Sequence, residues 1–157
     1  MLLANGRAIL KINNSYARVQ TRIRDLGGFD RVLESKDSGA SAVIGGFLNS
    51  LTIYVNNNDT PVTSGDYSFT EGNLGLTKVT SSGTNNSSEA SYANNYIASF
   101  SATFRNDTNS DIIVKELGLI GNTNGQGYVN LAMIARDVID PITIAPGEVY
   151  TFTMYIG

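Results

Sequence analysis

Apolar and polar positions alternate with a period of two along much of the second half of this chain. Residues 96–104 (YIASFSATF) put Tyr96, Ala98, Phe100, Ala102 and Phe104 on one side and Ile97, Ser99, Ser101 and Thr103 on the other. Residues 149–156 set Tyr150, Phe152, Met154 and Ile156 against Val149, Thr151, Thr153 and Tyr155. Successive side chains of a strand point to opposite faces, so both segments predict half-buried strands. Residues 16–23 alternate in the same way, and Gly27-Gly28 ends that pattern. Residues 51–55 (LTIYV) and 112–121 (IIVKELGLIG) are β-branched runs that predict strands, the second broken at Gly118. Residues 128–139 (YVNLAMIARDVI) fit a strand better than a short helix, and residues 142–145 form a further short run before the Pro146-Gly147 turn.

Between these runs lie Gly-, Asn- and Pro-rich turns at 56–61, 106–111 and 122–127, while Gly65, Gly72 and Gly75 separate short apolar pieces. Small residues and glycines from 38 to 46 suggest a loop or a close approach of backbones. Residues 80–95 (TSSGTNNSSEASYANN) are polar and low in complexity, which predicts an exposed loop. Short strands joined by such turns predict an all-β fold, an antiparallel β-sandwich of jelly-roll-like form. The expected division is a basic N-terminal segment or arm at 1–48, packed on the domain or on a neighbour, followed by the β-sandwich domain at 49–157.

Composition narrows the chemistry. At 157 residues the chain suits one domain with a real core, and no apolar run approaches the length of a membrane span. The start of the chain is too lightly apolar for a signal peptide. With no cysteine there is no disulfide, thiolate metal site or thiol nucleophile, and with no histidine the usual neutral-pH base is missing. The net charge of −3 is unevenly spread. Residues 1–36 carry seven basic and three acidic groups, a balance of +4, and the remainder four and eleven, a balance of −7. Arg18, Arg22 and Arg24 make that first segment a candidate contact for an acidic neighbour, including another copy of the chain. Few aromatic residues interleave with the basic ones and the whole chain is acidic, so nucleic acid is not an expected partner, and with no apolar run of membrane length a membrane is not one either.

No catalytic pattern stands out. The glycines of GNLGLT and GNTNGQG lack the strand-then-helix setting of a phosphate loop. Asp37, Asp59, Asp66, Asp107 and Asp111 fall near loops, but the acidic stretch at 107–111 lacks the Gly and closing Glu of a calcium loop. Glu116 and Arg136 lie in neighbouring predicted strands, and opposite charges across strands are a stabilising arrangement. They are therefore structural candidates. No cofactor, metal or catalytic residue is expected.

The segments LTIYVNNNDTPVTSGDYSF, SFSATFRNDTNSDIIVKELGLIG and LAMIARDVIDPITIAPGEVYTFTMYIG share a cadence. It resembles that of small virion proteins of tailed bacteriophages, over roughly residues 51–157. The resemblance implies a non-enzymatic structural protein of the virion, assembled in the host bacterial cytoplasm as repeated copies on the head or in the tail or neck. Its partners would be other copies of itself and other virion proteins. Asp66 and Tyr67 would form a turn, Glu116 would seek a partner such as Arg136, and Thr151, Thr153 and Tyr155 would face solvent or a neighbouring subunit. A receptor- or glycan-binding fibre module is the alternative, with Tyr67, Tyr92, Tyr96 and Tyr128 as aromatic candidates.

Overall fold

The computed structural model describes residues 20–34, 51–67, 69, 73–85, 98–122 and 131–156, and these are all-β apart from one short 3-10 turn. The strands among them are β1 (Gln20–Arg24), β2 (Asp30–Glu34), β3 (Thr52–Asn56), β4 (Thr77–Asn85), β5 (Ala98–Arg105), β6 (Ile112–Asn122), β7 (Leu131–Ile144) and β8 (Val149–Ile156). Strands β1 and β2 form a hairpin. The others form two antiparallel three-stranded sheets, ordered β3-β6-β7 and β4-β5-β8.

The two sheets share one core, as the alternation demands. Ile53, Val55, Val114, Leu117, Leu119, Ile134 and Ile144 from the first sheet pack with Phe100, Ala102, Phe104, Phe152 and Met154 from the second. Phe104 and Phe152 meet edge-on, with ring centres 6.1 Å apart. The first sheet is buried on its other face too. There Ile120 and Met133 pack under Phe69, with Leu26, Tyr54, Val62 and Leu131 around them. A strand sandwiched on both sides needs apolar or paired residues at every position, which accounts for the near-continuous apolar run of β6.

Several sequence expectations change here. Residues 80–85 are not loop: they belong to β4, and Thr80–Asn85 pair with Thr103–Ala98 of β5. The inward positions of β4 are Ser81 and Gly83, and a Cβ on Gly83 would lie 2.7 Å from the Phe100 ring. The apolar bulk is thus supplied by β5, which leaves β4 looking like a polar linker. Gly118 does not break β6, which runs through it. The separate run at 142–145 is the end of β7, a 14-residue strand irregular where Lys115 of β6 faces residues 139–141. Pro141 sits in that irregularity, where no ladder N–H is needed. Residues 30–34 form β2, for which the sequence carried no signal. The expected boundary at 48/49, the small-residue stretch at 38–46 and the remainder of the 80–95 segment lie outside the described residues.

Two turns fix the ends of strands. Pro146-Gly147 turns β7 into β8 with Gly147 at φ +78°, the left-handed region glycine favours. Gly147 N donates to Asn106 O and Asn106 N donates to Glu148 O, so two residues face one, a bulge of the glycine type. Asn106, fully buried, ties this corner together: its Nδ2 donates to Ser110 O and Ile144 O, both at 2.8 Å.

Candidate functional site

The outer face of sheet β3-β6-β7 carries the only buried ion pair among the described residues, Glu116 with Arg136. Arg136 stands opposite Gly118, and Glu116 lies two residues along β6, so the two meet on the diagonal. Gly118 has no side chain to separate them from Phe69. A Cβ there would lie 2.6 Å from the Phe69 ring, so the ring sits directly on the glycine backbone. Glu116 is 2 % and Arg136 4 % exposed. Arg136 Nε donates to Glu116 Oε1 at 2.5 Å, Nη1 to Asp66 Oδ2 at 2.7 Å and Nη2 to Thr60 O at 2.9 Å. One guanidinium therefore joins the sheet to both ends of the 60–66 segment.

Asp66 is held from its own side as well. Thr63 N donates to Oδ2 at 3.0 Å and Thr63 Oγ1 to Oδ1 at 2.5 Å, the side-chain-capped turn expected of this residue. Burial raises the Asp66 pKa, but the Thr63 bonds and Arg136 outweigh it, and the carboxyl is held below its ordinary value of 3.8. Burial likewise works against the charge of Arg136, and its bonds to Glu116 and Asp66 more than restore it, so its pKa is raised. Glu116 Oε2 is buried and meets no donor among the described residues. The arrangement holds a loop against the sheet.

The neighbouring contacts extend the same clamp. Arg24 lies over the Tyr67 ring at 4.6 Å and donates from Nε to Gly28 O at 3.0 Å. Leu26 N donates to Leu131 O at 2.9 Å, which docks the hairpin tip on β7. Lys115 binds Asp59 at 3.0 Å from the sheet side. The hydrogen bond and charge of Lys115 hold the Asp59 carboxyl low.

The second candidate surface is the outer face of sheet β4-β5-β8. Rows of hydroxyls cross it: Thr80, Thr103 and Thr151, then Ser82, Ser101 and Thr153. Thr103 bonds Thr151 and Ser101 bonds Thr153, each at 2.8 Å between hydroxyl oxygens. Val149 and Tyr155 flank them, 52 % and 66 % exposed.

Among the sequence candidates, Glu116 and Arg136 are brought together, and Thr151, Thr153 and Tyr155 share the exposed face of β8. Arg24 belongs to the hairpin tip rather than to either group. Arg22 stands in β1 opposite Val32, with its side chain outside the described set, and Arg18 lies outside the described residues. The aromatic candidates Tyr92, Tyr96 and Tyr128 also lie outside them, while Tyr67 is taken up by Arg24. Asp59, Asp66 and Asp107 each meet a cation, and no group of three or more metal-ligating side chains occurs among the described residues.

Sequence reasoning missed Lys78. It reaches from β4 to Thr52 Oγ1 of β3 at 2.9 Å and lies over the Tyr54 and Phe104 rings at 4.2 and 5.6 Å. Burial there pushes its pKa down. Lys78 followed by the exposed Val79 resembles surface sequence, and only the closure of β4 toward β3 reveals the role. Comparison with family models, curated proteins and solved structures finds no match to this chain.

Proposed function

We propose that this protein is a non-enzymatic structural subunit of a tailed-bacteriophage virion, present in repeated copies on the head or in the tail or neck, and assembled in the host cytoplasm. The observation that carries this reading is the use of buried charge. Glu116, Arg136 and Asp66, the strongest polar cluster on the described surface and core, clamp a loop to a sheet. The chain of contacts from Arg24 through Tyr67 and Asp66 to Arg136 makes a rigid block rather than a cleft. Rigidity suits a part whose work is geometry, and repetition lets weak contacts add.

The fold reading within this proposal is a β-sandwich of jelly-roll-like form. Its support is the shared core and the path of the chain, which passes between the sheets from β3 to β4, β5 to β6 and β7 to β8. The sequence cadence described above supports the virion setting. The partners are other copies of the chain and other virion proteins.

Mass spectrometry of purified particles made from the genome that encodes this chain tests the proposal. The expected result is a fixed copy number relative to the main shell protein. Recovery of the chain only in the unassembled fraction, with particles intact, ends the virion reading. The fibre-module alternative draws on Tyr155 exposed beside the hydroxyl rows of β5 and β8. Saturable binding to an immobilised host glycan, lost on Tyr155→Ala, would favour it.

A further inference from the structure

One oxygen of the clamp is left over. Glu116 Oε1 accepts from Arg136 Nε, but Glu116 Oε2 is buried and meets no donor among the described residues. A carboxylate oxygen is an acceptor only, and burying it bare forfeits its hydration without compensation. Buried polar atoms of folded proteins are almost always satisfied, by the protein or by an internal water.

The strand register places a complementary group beside it. Glu116 stands between Asn56 of β3 and Val138 of β7. Directly opposite residues of an antiparallel pair carry their side chains on one face, with Cβ atoms about 4.5–5.5 Å apart. Val138 has no polar atom in its side chain. Asn56 is 8 % exposed, and its Oδ1 accepts from Asn57 N at 2.8 Å. That bond fixes which end of the amide is the oxygen, and it leaves Nδ2 with two N–H groups and no acceptor among the described residues. A lone acceptor and a lone donor thus share one face of the sheet without bonding each other. The segment that follows Asn56 is held against this face. Arg136 binds Thr60 O and Asp66, and Lys115 binds Asp59.

We propose that one internal water molecule binds between Glu116 Oε2 and Asn56 Nδ2, donating to the carboxylate and accepting from the amide. Water supplies both functions that are missing, and a bridging water is nearly as favourable as a direct bond. A metal ion fits the donor set less well, because it needs several oxygen ligands. Here Asp66 Oδ1 and Oδ2 accept from Thr63 and Arg136, Thr60 O from Arg136, and Asn56 Oδ1 from Asn57 N. The guanidinium on Glu116 Oε1 would also repel a cation. The bridge carries the clamp onto a third strand. Arg136 of β7 and Glu116 of β6 then reach Asn56, the last residue of β3, so the covering segment is fastened at its start as well as at Thr60 and Asp66.

A high-resolution crystal structure and water–protein NMR of the unaltered full chain test the proposal. The expected result is one water oxygen about 2.8 Å from Glu116 Oε2 and about 3.0 Å from Asn56 Nδ2. A cross-peak with the sign of a long-lived water should also join water to the Asn56 side-chain amide. The double variant Glu116→Leu with Arg136→Met strands no charge, and it should lose that cross-peak while keeping its fold. A direct bond to Oε2 from Asn56 Nδ2 or any other protein donor overturns the proposal. So does an atom about 2.4 Å from Oε2 with six or more oxygen ligands, the signature of calcium. Absence of both the density and the cross-peak overturns it too. A cross-peak that survives in the double variant has the same force, because the water is then held by other groups. The result on the unaltered chain decides the matter whether or not the variant folds.

Discussion

At the scale of single residues, Arg136 has the most to lose. Removing one partner of a buried ion pair leaves the other charged and desolvated, at a cost of about 3–5 kcal/mol. Arg136→Met should therefore destabilise by about that amount in urea unfolding, since Glu116, 2 % exposed, would be stranded. Glu116→Leu combined with Arg136→Met should recover much of the loss, because an apolar pair of similar volume needs no solvation. A double variant as unstable as the sum of the singles would show that the two residues do not act as a pair. Gly118 is a second sensitive position. Gly118→Ala places a methyl 2.6 Å from the Phe69 ring and should cost about 1–3 kcal/mol through overpacking. Phe69→Leu in the same chain should return part of it, and unfolding midpoints of the three variants decide the matter.

At the scale of elements, β5 and β8 were legible because one face of each is apolar and the other hydroxylated. The expected consequence on β8 is asymmetric. Phe152→Ala should cost about 3–5 kcal/mol, and Thr151→Ala, on the exposed face, within roughly 0.5 kcal/mol. Equal melting temperatures for the two variants would mean that Phe152 is not in the core. Strand β4 was illegible for a physical reason: with Ser81 and Gly83 inward, its fit depends on the Phe100 ring of another strand. Gly118 looked like a break because a glycine that ends a strand and one that seats a ring are alike in one dimension. The pairing of Glu116 with Arg136 was readable, since each is a charge in an apolar run. Its extension to Asp66 and Thr60 was not, because those contacts bridge 70 and 76 residues and depend on how a loop folds back.

At the scale of the whole molecule, the clamp makes stability depend on acid. Asp66 has its folded pKa below its ordinary 3.8, so the unfolded chain takes up the proton first. Its contribution is complete above the unfolded pKa and disappears as pH falls through the lower folded one. Asp66→Asn should flatten the acid limb of the stability profile while leaving its neutral plateau lower, as followed by thermal melts from neutral pH downward. An acid limb identical to that of the unaltered chain would remove Asp66 as its source. The same long-distance wiring also sets an order in time. The β4–β5 and β6–β7 pairs join neighbours in the chain, but β3 must wait for β6, where Thr52 meets Ile120, and β5 for β8, where Ala98 meets Ile156. Non-local pairings close slowly, on the scale of milliseconds to seconds for β-rich domains. During synthesis, β5 emerges well before the strand that completes its sheet, with Phe100 and Phe104 still uncovered. The nascent chain therefore passes through an interval of adhesiveness that lasts until β8 is free to pair with β5.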